Sequence, residues 1–191
     1  MAFRTIAAGL LVACVAQCAM AAETNTSAEL ANLFKEDQAD RKAQEIDWSV
    51  VGARDAERER RVKALIAADA LKSGMDYLHA AMILQHAHAP EDHLLAHELC
   101  VIAIAKGEHR AKWLAAASLD RFLTGIDRPQ RFGTQYQSKG RTDPPVLLPV
   151  DPAVTDALRR EMSVPTLAEA KRQETEYAKE FEERKKRAGA R

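Results

Sequence analysis

Cysteine is nearly absent from the part of this chain expected to fold. Of the three cysteines, Cys14 and Cys18 lie in an apolar leader, and Cys100 is left alone. An intramolecular disulfide is therefore excluded, even in an oxidising compartment. Aromatic residues make up only 5% of the chain while alanine is abundant, which favours closely packed helices over a sheet. Neither sign of charge dominates: 28 basic residues face 28 acidic ones. Such a chain has no bulk field to hold nucleic acid or an anionic membrane. Glycine-rich phosphate loops and a Gly-x-Ser-x-Gly elbow are missing, so covalent catalysis has no positive support. The zinc-protease pattern fails too, because the run from His97-Glu98 ends in Val101.

What is present begins with a leader. Met1 to Arg4 carries one positive charge, and Ile6 to Ala19 is apolar apart from Gln17. This run is shorter than the about 20 residues a membrane-spanning helix needs. Ala19-Met20-Ala21 supplies small residues for signal-peptidase cleavage after Ala21 or Ala22. Residues 1–21 are thus expected to be a signal peptide, and the mature protein periplasmic or secreted. The alternative is a lipoprotein anchored at Cys14, against which Val15-Ala16 and the short preceding stretch argue. No transmembrane segment is expected in the mature chain.

The remainder is expected to be all-α: a single domain over 22–162, then a charged helix and tail over 163–191. Apolar spacing predicts a first helix from Ser27 to about Gln44, and a break over Asp47 to Gly52. A second helix, about Ala53 to Leu71, opens with the charge run Arg54 to Arg61, read as a solvated face. Ser73-Gly74 is taken to end it. Three close-set helices follow, about Met75–Ala87, Glu91–Lys106 and Glu108–Thr124, separated at Pro90 and Gly107. Short links force antiparallel neighbours, giving a stack of repeat-like helical hairpins. From Gly125 to Pro152 the chain is rich in Gly, Pro and polar residues, and a loop this long is usually functional or mobile. A short helix at Pro152–Met162 precedes a long charged one, opened by a capping box at Thr166-Leu167-Ala168-Glu169. That last helix is read as docked or partly detached, in preference to a dimerising coiled coil.

If the three stacked helices alternate, the first and third end side by side. Gln85 and His86 then meet Asp120 and Arg121, with the loop carrying Thr134 and Gln135 leaving from the same place. Free amides at Glu91 to His93 would lie beside them. These six residues are the candidate binding site. His93 and His97 have the one-turn spacing of a metal-ligand pair, and His86 could reach them. Histidines bonded to helix-end carbonyls explain the same letters better, so neither metal nor cofactor is expected. Cys100, among Leu99, Val101 and Ile102, reads as a buried inert thiol. Arg121 either pins the stack through Asp76 or Asp92, or offers its fork to an anionic ligand.

Asp37-Gln38-x-Asp40-Arg41, Ala80-Ala81-Met82-Ile83-x-Gln85-His86, Leu119-Asp120-Arg121 and Gln130-x-Phe132-Gly133-Thr134-Gln135 occur in that order. From Asp37 to about Pro165 the chain resembles a bacterial domain-of-unknown-function family with Gln-His, Asp-Arg and (Phe/Tyr)-Gly-Thr-Gln signatures. The resemblance implies an α-helical domain in which Gln85, His86, Asp120, Arg121 and Gln135 belong to the pattern, and brings no activity. His88, His93 and His97 stand outside it. The expected role is binding of a small molecule or peptide at the polar end of the stack. The alternatives are a general acid–base enzyme using His86 with Asp120 or Arg121, and a structural or partner-binding envelope protein. A deep polar pocket favours the first two, and a flat face with every polar group internally bonded favours the third.

Overall fold

Alanine-rich stretches punctuated by Ser73, Pro90 and Gly107 form the stacked helices in the computed structural model, which describes residues 25–43, 45–140 and 142–189. The leader, its cleavage site and Cys14 lie outside the described residues. Helix α1 covers residues 25–40. It is followed by α2 (Trp48–Ala67), α3 (Gly74–Leu84), α4 (Pro90–Ala105) and α5 (Ala111–Gly125). A two-stranded antiparallel ribbon then pairs β1 (Tyr136–Gln137) with β2 (Val146–Leu147), Tyr136 opposite Leu147. Helices α6 (Asp156–Glu161) and α7 (Leu167–Gly189) complete the chain. The all-α expectation holds: among the described residues the ribbon and one isolated bridge, Gln130 to Val150, are the only strand pairing.

Local chemistry sets the helix ends. Ser73 does not close α2 but caps α3: its hydroxyl accepts from the Asp76 amide, while the Asp76 carboxylate accepts from the Ser73 and Lys72 amides. Helix α2 likewise starts earlier than the sequence suggests, because Asp47 caps the amides of Ser49 and Val50. The aromatic and β-branched residues after Asp47 look like a break, yet a good cap outweighs their weak helix propensity. The left-handed turn at Gly107 (φ 89°) lets α4 stop and the chain reverse into α5.

Helix α4 packs between α3 and α5, and small residues let the three come close. Ala80, Ala81, Ala96, Ala103, Ala111 and Ala115 are all fully buried, around Leu30, Val62, Leu84 and Cys100. The antiparallel order is visible at both ends. Gly74, opening α3, lies against Ala103 and Lys106 near the end of α4, and Gly125, closing α5, lies against Pro90 at the start of α4. The C-terminal ends of α3 and α5 therefore meet at one end of the stack. Helix α7 docks its first turns on the ribbon, where the Tyr136 hydroxyl donates to the Ala170 carbonyl at 2.9 Å and Tyr177 packs edge-on against the Tyr136 ring. Among the described residues no helix is long and apolar enough to cross a membrane.

Candidate functional site

The charge run of α2 is solvated at Arg54, Glu57 and Arg60, as expected, but it turns Asp55 and Arg58 inward towards α1. Arg58 is only 4% exposed and pairs with Asp40 of α1 and, at 2.8 Å, with Asp55. Arg41, just past the end of α1, grips both oxygens of Asp55, at 3.2 and 2.7 Å, and donates to Asp37 at 2.8 Å. Arg54 reaches Asp40, and Arg61 reaches Glu29. Helices α1 and α2 are thus joined by interlocked ion pairs with shared members, the arrangement in which ion pairs count for more than when isolated on a surface.

His86 sits at the edge of this network, one residue beyond the C-cap of α3. Its Nε2 is buried without a hydrogen-bond partner and lies 3.7 Å from Asp37 Oδ2, too far for a hydrogen bond. Burial pushes the imidazole pKa from 6.5 down to about 4, and the positive charges of Arg41 and Arg121 push the same way. The ring is therefore neutral at physiological pH. Burial raises the Asp37 carboxyl above its ordinary range, against the lowering effects of the Gln38 amide and the Arg41 charge.

From the other side comes Arg121 of α5. Its Nη1 donates to the Gln85 carbonyl, one of the unpaired acceptors at the end of α3, and its Nε donates to Gln135 Oε1 at 3.3 Å. Neither expected carboxylate pairs with it: Asp76 is occupied in capping α3, and Asp92 is bound by Lys63 of α2 at 2.5 Å. Among the described residues Arg121 has no carboxylate within ion-pair distance, and burial alone lowers its pKa. Gln85 contributes its carbonyl here, while its side chain rests near Met82 Sδ at 3.7 Å.

Asp120 belongs to a different construction. Fully buried, it accepts from the backbone amides of Arg131 (2.7 Å), Phe132 (2.9 Å) and Thr134 (3.1 Å), and from the Thr134 hydroxyl at 2.8 Å. Gln130, equally buried, donates to the Gln135 and Leu148 carbonyls and accepts from the Gln135 amide. Arg159 of α6, 1% exposed, donates to the Phe132 and Val154 carbonyls. Gly133 has φ 79°, and a Cβ there would sit 3.2 Å from Arg159 Nη1, so glycine alone suits the turn. The long loop is thus wrapped around Asp120 and Gln130. No hydrogen bond or ion pair joins Asp120 to His86. The carboxylate beside His86 is Asp37, not the expected Asp120.

Gln135 links the two constructions: its amide nitrogen donates to the Ala117 carbonyl and the Thr134 hydroxyl while its oxygen accepts from Arg121. The six expected residues do gather at one end of the stack, but they divide into a saturated clamp (Asp120, Thr134) and an open edge (His86, Arg121). Sequence reasoning left Asp37, Arg41 and Gln130 out of the candidate set. All three stand in the motifs Asp37-Gln38-x-Asp40-Arg41 and Gln130-x-Phe132-Gly133-Thr134-Gln135, which were the available signal.

The two histidines with metal-pair spacing are bonded to carbonyls, His93 Nε2 to Ala87 O at 2.9 Å and His97 Nδ1 to Ala115 O at 2.8 Å. Among the described residues no three metal-ligating side chains converge. The Asp92 and His93 amides turn back to the Ala89 carbonyl and are not free as expected. Cys100 is fully buried, and burial pushes its thiol pKa up to about 12. A cavity of about 300 Å³ lined by Thr124, Asp127, Arg128, Pro129, Gln137, Leu148 and Pro149 flanks the end of α5 on the loop side, and includes none of the six.

No protein-family model, no curated protein and no solved structure matches the chain.

Proposed function

We propose that this protein is exported and binds a small molecule or peptide at the open edge formed by Asp37, Arg41, His86 and Arg121. One observation carries the reading. Beside the charges of Asp37, Arg41 and Arg121, His86 keeps a buried Nε2 with no hydrogen-bond partner, and its Nδ1 makes no hydrogen bond among the described residues. His79 Nδ1, His93 Nδ1, Ser118 Oγ and Arg159 Nε are also buried without a hydrogen-bond partner, but His93 bonds through its other ring nitrogen and Arg159 through its other guanidinium nitrogens. An unsatisfied buried nitrogen costs about 1–3 kcal/mol, and a ligand that orders or engages the ring recovers part of that. The side chain keeps 22% of its surface in solvent, so the ring is reachable. The motifs Gln85-His86, Asp120-Arg121 and Phe132-Gly133-Thr134-Gln135 meet at the same end of the stack.

The test is a thermal-shift and native mass-spectrometry screen of metabolites and short peptides on the mature protein, with His86→Gln beside the wild type. The expected result is a compound that stabilises wild type and loses its effect in the variant. If every compound that binds does so equally to both, the assigned edge is wrong. Export is tested separately, by the mass of the N-terminus of protein recovered from the periplasm: cleavage after Ala21 or Ala22 is expected, and a lipid-modified Cys14 overturns it.

A second reading is supported by the proximity of Asp37 to His86: an acid–base pair in which the carboxylate orients the imidazole. The ring is neutral as a general base must be. A conjugate acid near pKa 4, however, makes it a weak one at neutral pH. The binding reading is favoured for that reason.

A further inference from the structure

We infer that the ligand group taken at this edge is an oxyanion, a carboxylate or phosphate, held by the Arg121 guanidinium with the His86 ring beside it. The inference rests on the binding reading and names the chemistry of its ligand. Charge accounting leads to it. Arg41 after α1 and Arg54 and Arg58 of α2 pair with Asp37, Asp40 and Asp55 and cancel against them. Arg121 adds a further positive charge with no carboxylate among the described residues. A largely buried guanidinium without a counter-ion is costly, and an arriving anion relieves that cost.

The geometry of the fork agrees. Nε and Nη1 are held by two neutral acceptors, Gln135 Oε1 and Gln85 O, which orient the plane without neutralising it. Nη2 makes no hydrogen bond among the described residues and is the donor left for a ligand. Had Arg121 served only to pin the stack, a carboxylate at one of these positions would do so with better charge compensation. The chain places amide and carbonyl oxygens there instead.

His86 is the built-in reporter. The groups acting on it are Asp37 from α1, Arg41 just after it, Asp55 and Arg58 from α2, and Arg121 from α5. Two of the three arginines lower its proton affinity most, after burial itself. An oxyanion on Arg121 offsets that field, so binding raises the His86 pKa and draws in a proton as pH falls. By linkage the anion binds more tightly at lower pH.

The experiment is a histidine-ring NMR titration of the mature protein with two probes separately, inorganic phosphate and acetate. Saturable movement of the His86 ring resonances is expected, with its titration midpoint raised by about one unit at saturation. Arg121→Gln should weaken the response roughly tenfold or more. Because that variant also loses the cap on α3, the wild-type midpoint shift is the independent readout if it fails to fold. Response to phosphate alone assigns a phosphate-bearing ligand, response to acetate alone a carboxylate, and response to both the shared oxyanion. No response to either overturns the inference. A neutral compound found by the screen to depend on His86 would overturn it while leaving the binding reading intact.

Discussion

Replacing Asp120 with alanine removes the anchor of the 126–152 loop, and the cost follows from its bonds. Three backbone amides and one hydroxyl converge on this fully buried carboxylate. A buried donor left unpaired costs about 1–3 kcal/mol, so three stranded amides alone would cost roughly 3–9 kcal/mol. That rivals the whole stability of a typical domain, about 5–15 kcal/mol. The loop has a cheaper escape, which is to lift off and give its amides to water. The loss is then limited to the free energy of docking the loop, expected at about 3–5 kcal/mol, and the transition splits as the loop leaves before the helices melt. Asp120→Asn keeps one carbonyl oxygen for Arg131 and Phe132 but turns an amide towards Thr134, so about 1–3 kcal/mol is lost. Urea unfolding with amide hydrogen exchange reads both quantities. The reasoning is refuted if Asp120→Ala stays within about 1 kcal/mol of wild type while the Arg131, Phe132 and Thr134 amides remain protected.

His86 makes the protein acid-labile in a defined window. The unfolded chain takes up the proton near 6.5 and the folded one only near 4, so stability falls as pH drops from about 6.5 and the full penalty is present below about 4. Between about pH 7.5 and 4.5 this amounts to about 2–3 kcal/mol, measured by urea midpoints and reduced in His86→Gln. Asp37, with its raised pKa, acts in the opposite direction at the bottom of that window. Arg58→Ala removes the buried cation of this network, leaving Asp40 to Arg54 and Asp55 to Arg41, and should cost about 1–3 kcal/mol in chemical denaturation; a loss near zero would show that these ion pairs do not join α1 to α2. Cys100 should resist iodoacetamide in the folded protein and react at once on unfolding, as mass spectrometry will show.

The helical stack was legible because its cues are local. Pro90 and Gly107 punctuate the sequence, and the helix-period alanines mark the faces that must approach closely. The meeting of Gln85 with Arg121 followed from helix count alone. What escaped was tertiary. Nothing in Arg54 to Arg61 announces that Asp37 and Asp40 lie opposite on another helix, so a run that forms a partly buried lattice reads as solvated. Asp120-Arg121 escaped for a related reason. Adjacent residues on a helix point in directions about 100° apart, so one turns into the loop and the other towards α3. Sequence adjacency made them one motif, and helical geometry made them two.

That divergence explains why a single corner can hold both a clamp and an open edge. Asp120 uses all its acceptor capacity on the loop, which fixes the backbone from Arg131 to Thr134. The fixed backbone delivers Gln135, whose amide nitrogen is held by Ala117 and Thr134, so its oxygen can face only one way, onto Arg121 Nε. The guanidinium is oriented before any ligand arrives, and little ordering entropy remains to be lost on binding. Gln135→Ala therefore separates the two roles. The Asp120 clamp and the Gln130 side-chain bonds to Leu148 and to the Gln135 backbone are untouched by it, so global stability should fall by no more than about 1 kcal/mol. Arg121 loses its Nε acceptor, and phosphate or acetate binding read at His86 should weaken by roughly tenfold. Unchanged phosphate and acetate binding, with the loss confined to stability, would mean that Gln135 belongs to the clamp alone, and that the orientation of Arg121 is set by Gln85 without it.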